Sequence, residues 1–263
     1  MDKPLYIQFF SWIYSILQLD FGISFTSGEK VKEEILSRIP ITLTINIVSM
    51  ILIFIISLYF GIKSAMKKNS IFDRFTNQLS LLSFSMPSFY LALVLVLVFS
   101  IKFELFPIAG LHSVPNDGSL NYYLDFAWHL TLPIFIIVFG GIGSLILYIR
   151  ALTIEILKSD YIFFARARGL DNKKILRYYI LPNLYPPVIT LLGLSLPGVI
   201  GGSVILETIF SIDGMGLLFY QSALSHDYPV IMGILIIGAF LTLIGNMFAD
   251  LILLKLNPNY NEK

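Results

Sequence analysis

Residues 160–170 read Asp-Tyr-Ile-Phe-Phe-Ala-Arg-Ala-Arg-Gly-Leu, and they lie in a basic segment between two apolar runs. Asp160 can accept hydrogen bonds from the free N–H groups at a helix start, so it predicts a cap for a short helix over 161–168. Gly169 tolerates the left-handed backbone with which helices commonly end. Asp171 is placed to cap a second helix from residue 172 onward. The stretch therefore predicts a helix, a glycine corner and a second helix, with aromatic and basic side chains exposed.

The sequence on both sides of this stretch is apolar enough to require lipid. Of the 263 residues, 56% are hydrophobic and 13% are charged, whereas soluble domains have about 45–50% and about 25%. A spanning helix needs ~20 mostly apolar residues. The windows that qualify are 41–62, 79–101, 130–149, 188–206 and 230–254. Open strands leave their backbone groups unsatisfied in lipid, and the alternating pattern of a barrel is missing. The predicted fold is an all-α integral membrane bundle.

The few charges are divided unevenly between the segments that connect these windows. Thirteen basic and five acidic residues lie in segments 63–78 and 150–187 and in the tail, against five basic and eleven acidic residues in the alternate segments. Because basic loops stay in the cytoplasm, the 150–187 loop and the C-terminus are predicted to be cytoplasmic. Residues 1–40 are then an extracytoplasmic or interfacial segment, 41–255 the transmembrane domain and 256–263 a cytoplasmic tail.

The N-terminal segment does not fit this topology by itself, because nothing ahead of it could carry it across the membrane. Residues 5–19 are too short for a span and lack the charged leader and small-residue cleavage site of a signal peptide. Trp12, Tyr6 and Tyr14 suit a helix that lies in the headgroup region. We therefore expect a further membrane-spanning helix ahead of Met1.

The sequence shows no constellation for catalysis, cofactor binding or metal binding. It has no cysteine and no His-Glu-x-x-His motif, which argues against thiolate chemistry and zinc hydrolysis. A net charge of +1 excludes a nucleic-acid binder that relies on a basic field. The stretch Gly61-Ile-Lys-Ser64 lacks the spacing of a P-loop. The chain is predicted to be non-catalytic, with any ATP and magnesium bound by a partner.

The stretch at 160–170, with Leu181 and Pro182, resembles the cytoplasmic loop of membrane permeases in ATP-binding-cassette importers. That loop reads Glu-Ala-Ala, three residues, Gly, nine residues, then Ile-x-Leu-Pro. With Gly169 on the family glycine, Ala165 falls on the second alanine and Leu181-Pro182 on the Leu-Pro pair. Phe163 and Phe164 replace the glutamate and the first alanine, and Tyr179 replaces the isoleucine. The pattern Asp-Tyr-x-x-x-Ala-Arg-Ala-x-Gly-Leu is typical of the oligopeptide, dipeptide and nickel branch.

Other parts of the chain are similar to the same branch. Glu207, Phe210, Gly214 and Gly216 match its Glu-x-x-Phe-x-x-x-Gly-x-Gly stretch, and Asp227-Tyr228-Pro229 matches the Asp-Tyr-Pro before the last span. Further matches are Pro40-x-Thr-Leu, Ser85-Met-Pro-Ser-Phe89, Leu105-Phe-Pro107, and Asp250 with Asn257-Pro258. The resemblance covers nearly the whole chain from about Lys3.

This resemblance implies a type I importer permease bundle with six spans, of which five are visible here. It implies that residues about 160–170 form a coupling helix that sits in a groove of a cytoplasmic ATPase. The coupling loop then consists of Asp160, Tyr161, Phe163, Phe164, Ala165, Arg166, Ala167, Arg168, Gly169, Leu181 and Pro182. Apolar Ile162, Phe163 and Phe164 would enter the groove, and Arg166 and Arg168 would meet its acidic rim. The implied partners are a second permease, two ATP-binding subunits and an extracytoplasmic solute-binding protein in a bacterial or archaeal cytoplasmic membrane.

Three interpretations of function remain open at this point. The first is an ATP-driven importer permease for short peptides, and the second is the same machinery with nickel or a metal chelate as cargo. The third is a secondary transporter, which needs buried charged relays, and only Asp250 is a candidate. The sequence does not identify the cargo, the pore-lining residues, or whether two identical or two different permeases pair.

Single residues also carry local predictions. Gly198 and Gly202 form a small-xxx-small pair that indicates close helix packing. Pro87 and Pro133 are kinks or prolines tolerated by packing. Glu207 is predicted to organise the loop at 207–216 rather than to bind cargo.

Overall fold

The computed structural model describes residues 4–196 and 198–256, and the secondary structure of this part is helical apart from one isolated bridge between Ile23 and Lys30. The helices are α1 (Leu5–Leu17), α2 (Val31–Met66), α3 (Ile71–Ser85), α4 (Ser88–Leu95, continued by a π-helix over Val96–Lys102), α5 (Leu120–Leu157), α6 (Asp160–Ala167), α7 (Asn172–Ile175, continued by a π-helical turn over Leu176–Ile180), α8 (Leu181–Ser195), α9 (Gly198–Gly201), α10 (Val204–Ile209), α11 (Met215–Leu224) and α12 (Tyr228–Leu256). The predicted all-α class is confirmed for the described residues.

Three of the described helices are long and apolar enough to cross a membrane, namely α2, α5 and the part of α12 over Tyr228–Phe248. Helices α3 and α4 meet this criterion only as a pair, and the pair is bent by 100°. Helix α1 is apolar, but its 13 residues cover less than the ~30 Å of a hydrocarbon core. The predicted tail at 256–263 lies outside the described residues, apart from Leu256.

The predicted windows 41–62, 130–149 and 230–254 each lie inside one longer helix. The first starts too late, because α2 begins at Val31 and passes through Pro40, so that residues 31–40 do not belong to a separate N-terminal segment. Val31 and Ile35 are buried against α11 and α12, and this packing favours helix before the proline. Proline has no backbone N–H and is usually unfavourable inside a helix. Four residues later, the hydroxyl of Thr44 donates to the carbonyl of Pro40 at 2.8 Å.

The other two windows are interrupted. Window 79–101 contains the bend between α3 and α4 at Met86 and Pro87, where the proline disfavours helical backbone in the residue before it. Window 188–206 contains the end of α8, all of α9 and the start of α10. Gly202, between α9 and α10, has a left-handed φ of 64°. Neither window is one continuous helix.

The predicted connecting segments are shorter in the structure. Only residues 67–70 separate α2 from α3, because the side chain of Ser70 accepts a hydrogen bond from the N–H of Asp73 and starts α3 early. The 150–187 loop begins inside α5, which continues to Leu157. Many of the charges used for the topology, Lys63, Arg74 and Arg150 among them, therefore lie on helices.

Helices α2 and α5 form the centre of the bundle, and α3 packs against α5. Helix α3 lies close to α5 at Gly143, where an added Cβ would lie 2.5 Å from the carbonyl oxygen of Ser80. The hydroxyl of Ser83 donates to the backbone carbonyl of Phe139 at the same contact. Only glycine fits at this position without moving α3.

We expect Gly143→Ala to destabilise the bundle by about 1–3 kcal/mol, because the backbone of α3 must shift to admit the methyl group. Gly140 is the matched control on the same helix, since a Cβ there meets no atom within 4 Å. Gly140→Ala is expected to be neutral or stabilising by up to about 1 kcal/mol, because alanine is the better helix former. Thermal unfolding in detergent measures both, and equal melting temperatures for the two variants would contradict the contact.

Candidate functional site

One face of α6 is fixed to the body of the protein. Ile162 is 1% exposed and Ala165 is also buried, and Ile162 packs in a cluster with Ile149 of α5 and Ile180 before α8. The ring of Tyr161 stacks on that of Tyr179 with centroids 6.2 Å apart. These contacts hold α6 against the ends of α5 and α8.

The opposite face of α6 has no cover in the described chain. Phe163 and Phe164 are 70% and 60% exposed, and their rings meet edge to face with centroids 5.8 Å apart. Arg166 and Arg168 are also exposed. The result is a short rigid helix that presents two large apolar side chains beside two cations.

The C-terminal end of α6 is a Schellman motif. The N–H of Leu170 donates to the carbonyl of Ala165 at 3.2 Å, and the N–H of Gly169 donates to that of Arg166 at 2.9 Å. Gly169 has φ of 80°, which is the left-handed conformation predicted from the sequence. The side chain of Asp171 then accepts from the N–H of Lys174 and caps α7, also as predicted.

The Leu181-Pro182 pair lies in a continuous helical stretch. The π-helical turn ends at Ile180, and α8 begins at Leu181 with Pro182 in its first turn, where a missing N–H is tolerated. The side-chain amide of Asn183 donates to the carbonyl of Tyr179 at 2.6 Å. Leu181 is half-buried and packs at the edge of the cluster that holds α6.

Two details of the predicted coupling loop are wrong. The residue at the cap position of α6 is Ser159, and Asp160 is the first residue inside the helix. The hydroxyl of Ser159 donates back to the carbonyl of Ile156, and the first turn of α6 has no side-chain cap; a carboxylate there still favours the helix dipole. Ile162 is not available to a partner, because it belongs to the face that packs on α5 and α8.

Asp73 and Arg150 join α3 to α5 near this loop. Asp73 is 3% exposed and accepts two hydrogen bonds from Arg150, at 2.7 Å from Nε and 2.9 Å from Nη2. Its carboxylate also accepts from the hydroxyl of Ser64 on α2 and from the N–H of Asn69. This single carboxylate therefore connects three helices seven residues before α5 ends.

The residues around Glu207 that match the family pattern form a second site. It lies near Thr42, toward the opposite end of α2 from Ser64. Glu207 is buried and accepts from the N–H of Leu217 at 2.8 Å and from the hydroxyl of Thr42 at 3.3 Å. An added Cβ at Gly202 or Gly214 would lie 2.5 or 2.6 Å from the carboxylate group. The glycines thus make room for Glu207, and Glu207 organises this loop as predicted.

The same geometry corrects the small-xxx-small interpretation of Gly198 and Gly202. A Cβ at Gly198 would meet nothing within 4 Å, so this glycine makes no close helix contact among the described residues. Gly202 is close to the side chain of Glu207 rather than to a neighbouring helix. The glycine spacing therefore does not mark a helix-packing motif here.

The other residues that match the family stretches at 207–216 and 227–229 occupy two different environments. Gly214 precedes α11 and Gly216 lies in its first turn. Phe210 is buried, and its carbonyl accepts from the N–H of Gly110, so that the 103–119 segment lies against this loop. Tyr228 is exposed and Pro229 is half-buried at the start of α12.

Asp227 connects the start of α12 to the segment before α2. It is buried and accepts from the hydroxyl of Ser24 at 2.5 Å and from the N–H of Thr26 at 3.1 Å. Burial alone would raise the pKa of the Asp227 carboxyl, but these hydrogen bonds hold its pKa below the usual value. The ionised form is therefore the one that the fold stabilises.

We expect Asp227→Asn to cost about 1 kcal/mol at neutral pH, the difference between charge-assisted and neutral hydrogen bonds. Since the pKa of Asp227 is lowered on folding, its contribution is complete above the unfolded pKa of about 4 and is lost as pH falls further. The difference in melting temperature between wild type and variant should therefore shrink between pH 7 and pH 3. A difference that stays constant over this range would contradict the assignment.

In the sequence, Asp73 and Arg150 are recognisable only as charges in connecting segments, and the chemistry of Thr42 alone does not distinguish it. The signal available for Asp73 was an isolated acid in a segment that otherwise carries only basic residues. Nothing in the sequence pairs residues 73 and 150, because they meet only through helix packing. Thr42 belongs to the Pro40-x-Thr-Leu match, but that match does not show that Thr42 bonds to Glu207.

Comparisons with known proteins agree with these features. The family model described as the binding-protein-dependent transport system inner membrane component matches residues 57–262. The chain is 36% identical over 259 residues to the oligopeptide transport system permease protein AppB of Bacillus subtilis, covering 98% of this chain and 81% of that protein. It is 29% identical over 281 residues to the dipeptide transport system permease protein DppB of Escherichia coli, covering 100% of this chain and 83% of that protein.

A relative with a different printed cargo is also similar. The chain is 30% identical to the metal-staphylopine import system permease protein CntB of Staphylococcus aureus, covering 99% of this chain and 79% of that protein. Among solved structures, inward-facing conformations of the MetNI methionine ABC transporter match with a TM-score of 0.66 and 17% identity, over 84% of this chain and 95% of that chain. At this identity the structural match supports the fold alone.

Proposed function

Since the chain belongs to the binding-protein-dependent transport system inner membrane components, and is thus an ABC importer permease of the multi-pass inner membrane class, we propose that it translocates short peptides. The observation that supports this cargo is the similarity to an oligopeptide permease at 36% identity over 98% of the chain. A dipeptide permease matches over the whole chain. Cargo in the form of a metal chelate is the second candidate, on the 30% identity to the metal-staphylopine permease.

In this proposal α6 is the contact to an ATPase subunit. Exposed Phe163 and Phe164 enter a groove of the ATPase, and Arg166 and Arg168 meet acidic residues at its rim. The buried face of α6 passes the ATPase movement to α5 and α8, because Ile162 packs against both ends. Closure of two ATPases around ATP and magnesium would then shift the bundle between outward-open and inward-open states.

The proposed assembly contains a second, similar permease, two ATPases and an extracytoplasmic solute-binding protein. The 150–187 loop and the C-terminus face the cytoplasm in this arrangement, because that side collects the basic residues. This chain itself binds neither ATP nor metal and performs no catalysis. The outer loops at 103–119 and 207–216 lie on the side where the solute-binding protein delivers cargo.

The test is uptake by proteoliposomes that contain the whole complex encoded with this chain. Labelled di- and oligopeptides are added outside with ATP inside, and unlabelled peptide or a nickel chelate serves as competitor. We expect uptake that requires ATP and that unlabelled peptide inhibits. Uptake inhibited only by the chelate would replace peptide by metal-chelate cargo, and uptake that runs without ATP would refute the proposal.

A further inference from the structure

A cleft of about 420 Å³ lies beside the last two turns of α2. Helix α2 forms one wall, and the stretch that runs from α7 through the π-helical turn to the start of α8 forms the other. The volume lies in the range of sites that bind small molecules, about 300–1,000 Å³. The cleft has a mostly apolar lining and is partly open to the surroundings.

The α2 wall carries two rows of side chains with different chemistry. Residues four positions apart lie above one another on the same face of a helix. The two rows are Leu58-Ile62-Met66 and Tyr59-Lys63-Lys67. Leu176 and Leu181 of the opposite wall face the cleft as well. The cleft is therefore apolar along its length and cationic toward the end of α2.

The two lysines bring positive charge to the cleft without an internal counter-ion. Neither Lys63 nor Lys67 forms an ion pair within residues 4–196 and 198–256. The described residues that line the cleft include no aspartate or glutamate. An anion that enters the cleft meets two cations and no like charge.

The ammonium group of Lys63 is held in place by aromatic side chains. Its Nζ donates to the hydroxyl oxygen of Tyr59 at 2.6 Å and lies 4.8 Å from the ring centroids of both Tyr59 and Phe72. Such rings attract a cation through their negative faces. An ammonium group has three N–H donors, and Tyr59 is the acceptor of one of them. The cation is thus positioned beside the cleft with donors left for a ligand.

The position of the cleft along α2 matches the boundary of a bilayer. Residues 41–62 carry no charge, and Lys63 is the first charged residue after them. A spanning helix leaves the hydrocarbon where its apolar run ends. Leu58 lies five residues before Lys63, or about 7.5 Å deeper along the helix. The apolar row is therefore at the depth of acyl chains, and the lysines are at the depth of headgroups.

We propose that this cleft binds one anionic phospholipid. Its phosphate lies at Lys63 and Lys67, and one acyl chain lies along the apolar row of α2. Basic pockets between helices at the membrane boundary select anionic headgroups, and the partly open side lets the second chain remain in the bilayer. The site goes beyond the proposed function, because it requires no particular cargo.

Binding of dioleoylphosphatidylglycerol to the delipidated complex in detergent, counted by native mass spectrometry, tests the site. Lys63→Gln combined with Lys67→Gln should raise the apparent Kd about tenfold or more, because both headgroup contacts lose their charge. Both lysines are at least partly exposed, so the fold should tolerate the change.

Lys173→Gln combined with Lys174→Gln is the matched control. It removes the same charge from α7, where both lysines are exposed and neither lines the cleft. The apparent Kd should change by less than about threefold, because exposed charges act weakly through screening solvent. Equal increases in the two double variants would show a general surface effect and overturn the site.

Two further ligands separate a lipid from a soluble phosphate. Dioleoylphosphatidylcholine has the same chains with a neutral headgroup and should bind about tenfold more weakly. Glycerol 3-phosphate has the phosphate without chains and should not displace the bound lipid at equal concentration. Equal binding of the neutral lipid would overturn the role of the lysines, and displacement by glycerol 3-phosphate would replace the lipid by a soluble phosphate compound.

A change in the apolar row tests the acyl chain separately from the headgroup. Leu58→Trp leaves both lysines intact and places a larger side chain in the cleft, so it should also weaken binding of dioleoylphosphatidylglycerol, by about threefold or more. Its melting temperature reports whether the fold is kept. Loss of the ATPase subunit from the Lys63→Gln, Lys67→Gln complex, with lipid binding unchanged, would assign the cleft to a protein partner and overturn the lipid site.

Discussion

Gly169→Val is expected to leave the chain inserted in the membrane but to lower ATP-dependent uptake by about tenfold or more. Gly169 has φ of 80°, and a left-handed conformation costs a residue with a side chain roughly 1–2 kcal/mol, more for a β-branched one. An energy of this size changes the population of the native corner about 5–30-fold. The Schellman hydrogen bonds that fix α6 relative to α7 would then be lost in much of the population.

The measurement compares ATP hydrolysis with peptide uptake by the same proteoliposomes. We expect hydrolysis to continue while uptake falls, because the exposed face of α6 no longer holds its position against the bundle. Gly118→Val is the matched control: Gly118 also has a positive φ, of 68°, in open surroundings, but it lies in the 103–119 segment. Loss of uptake in both variants to the same extent would show that backbone strain anywhere in the chain is sufficient, against the role of α6.

Asp73→Ala is expected to destabilise the permease by about 3 kcal/mol, the lower end of the range for breaking a buried ion pair. The guanidinium of Arg150, 21% exposed, would lose both of its hydrogen bonds to Asp73. The hydroxyl of Ser64 and the N–H of Asn69 would lose their acceptor as well. Thermal unfolding of the purified complex in detergent gives the change.

The neighbouring Arg74 provides the control for charge alone. Arg74 is exposed, so Arg74→Ala should change stability by less than about 0.5 kcal/mol. Combining Asp73→Asn with Arg150→Gln should cost less than the sum of the single changes, because no uncompensated charge remains. Strict additivity of the two single variants would contradict a direct pair between Asp73 and Arg150.

Features that depend on near neighbours in the sequence were predictable. A short helix here (predicted over 161–168, observed over Asp160–Ala167), the left-handed Gly169 and the cap at Asp171 all follow from residues close together in the sequence. The apolar windows inside α2, α5 and α12 follow from composition alone. These features coincide with the motifs that indicated the permease family.

Features that depend on packing were not predictable. Helix α2 extends back through Pro40 because Val31 and Ile35 find buried positions against α11 and α12, which hydropathy does not reveal. The bend at Met86 and the interruptions at Leu196 and at 202–203 lie inside runs that are mostly apolar. The sequence predicts that Ile162 contacts a partner, whereas in the structure it packs in the protein's own core. Three adjacent apolar residues do not show by themselves which one is buried.

Helix α5 connects the candidate sites as a single rod. It runs for 38 residues, or about 57 Å at 1.5 Å per residue, and it lies close to the backbone of α3 at Gly143. If that contact is the fulcrum, the arm from Gly143 to Leu157, beside α6, is about 21 Å, and the arm to Leu120 is about 35 Å. A rotation of about 10° would then displace the α6 end by about 4 Å and the opposite end by about 6 Å. Because the arms are unequal, one rotation moves the Leu120 end of α5 farther than the Leu157 end.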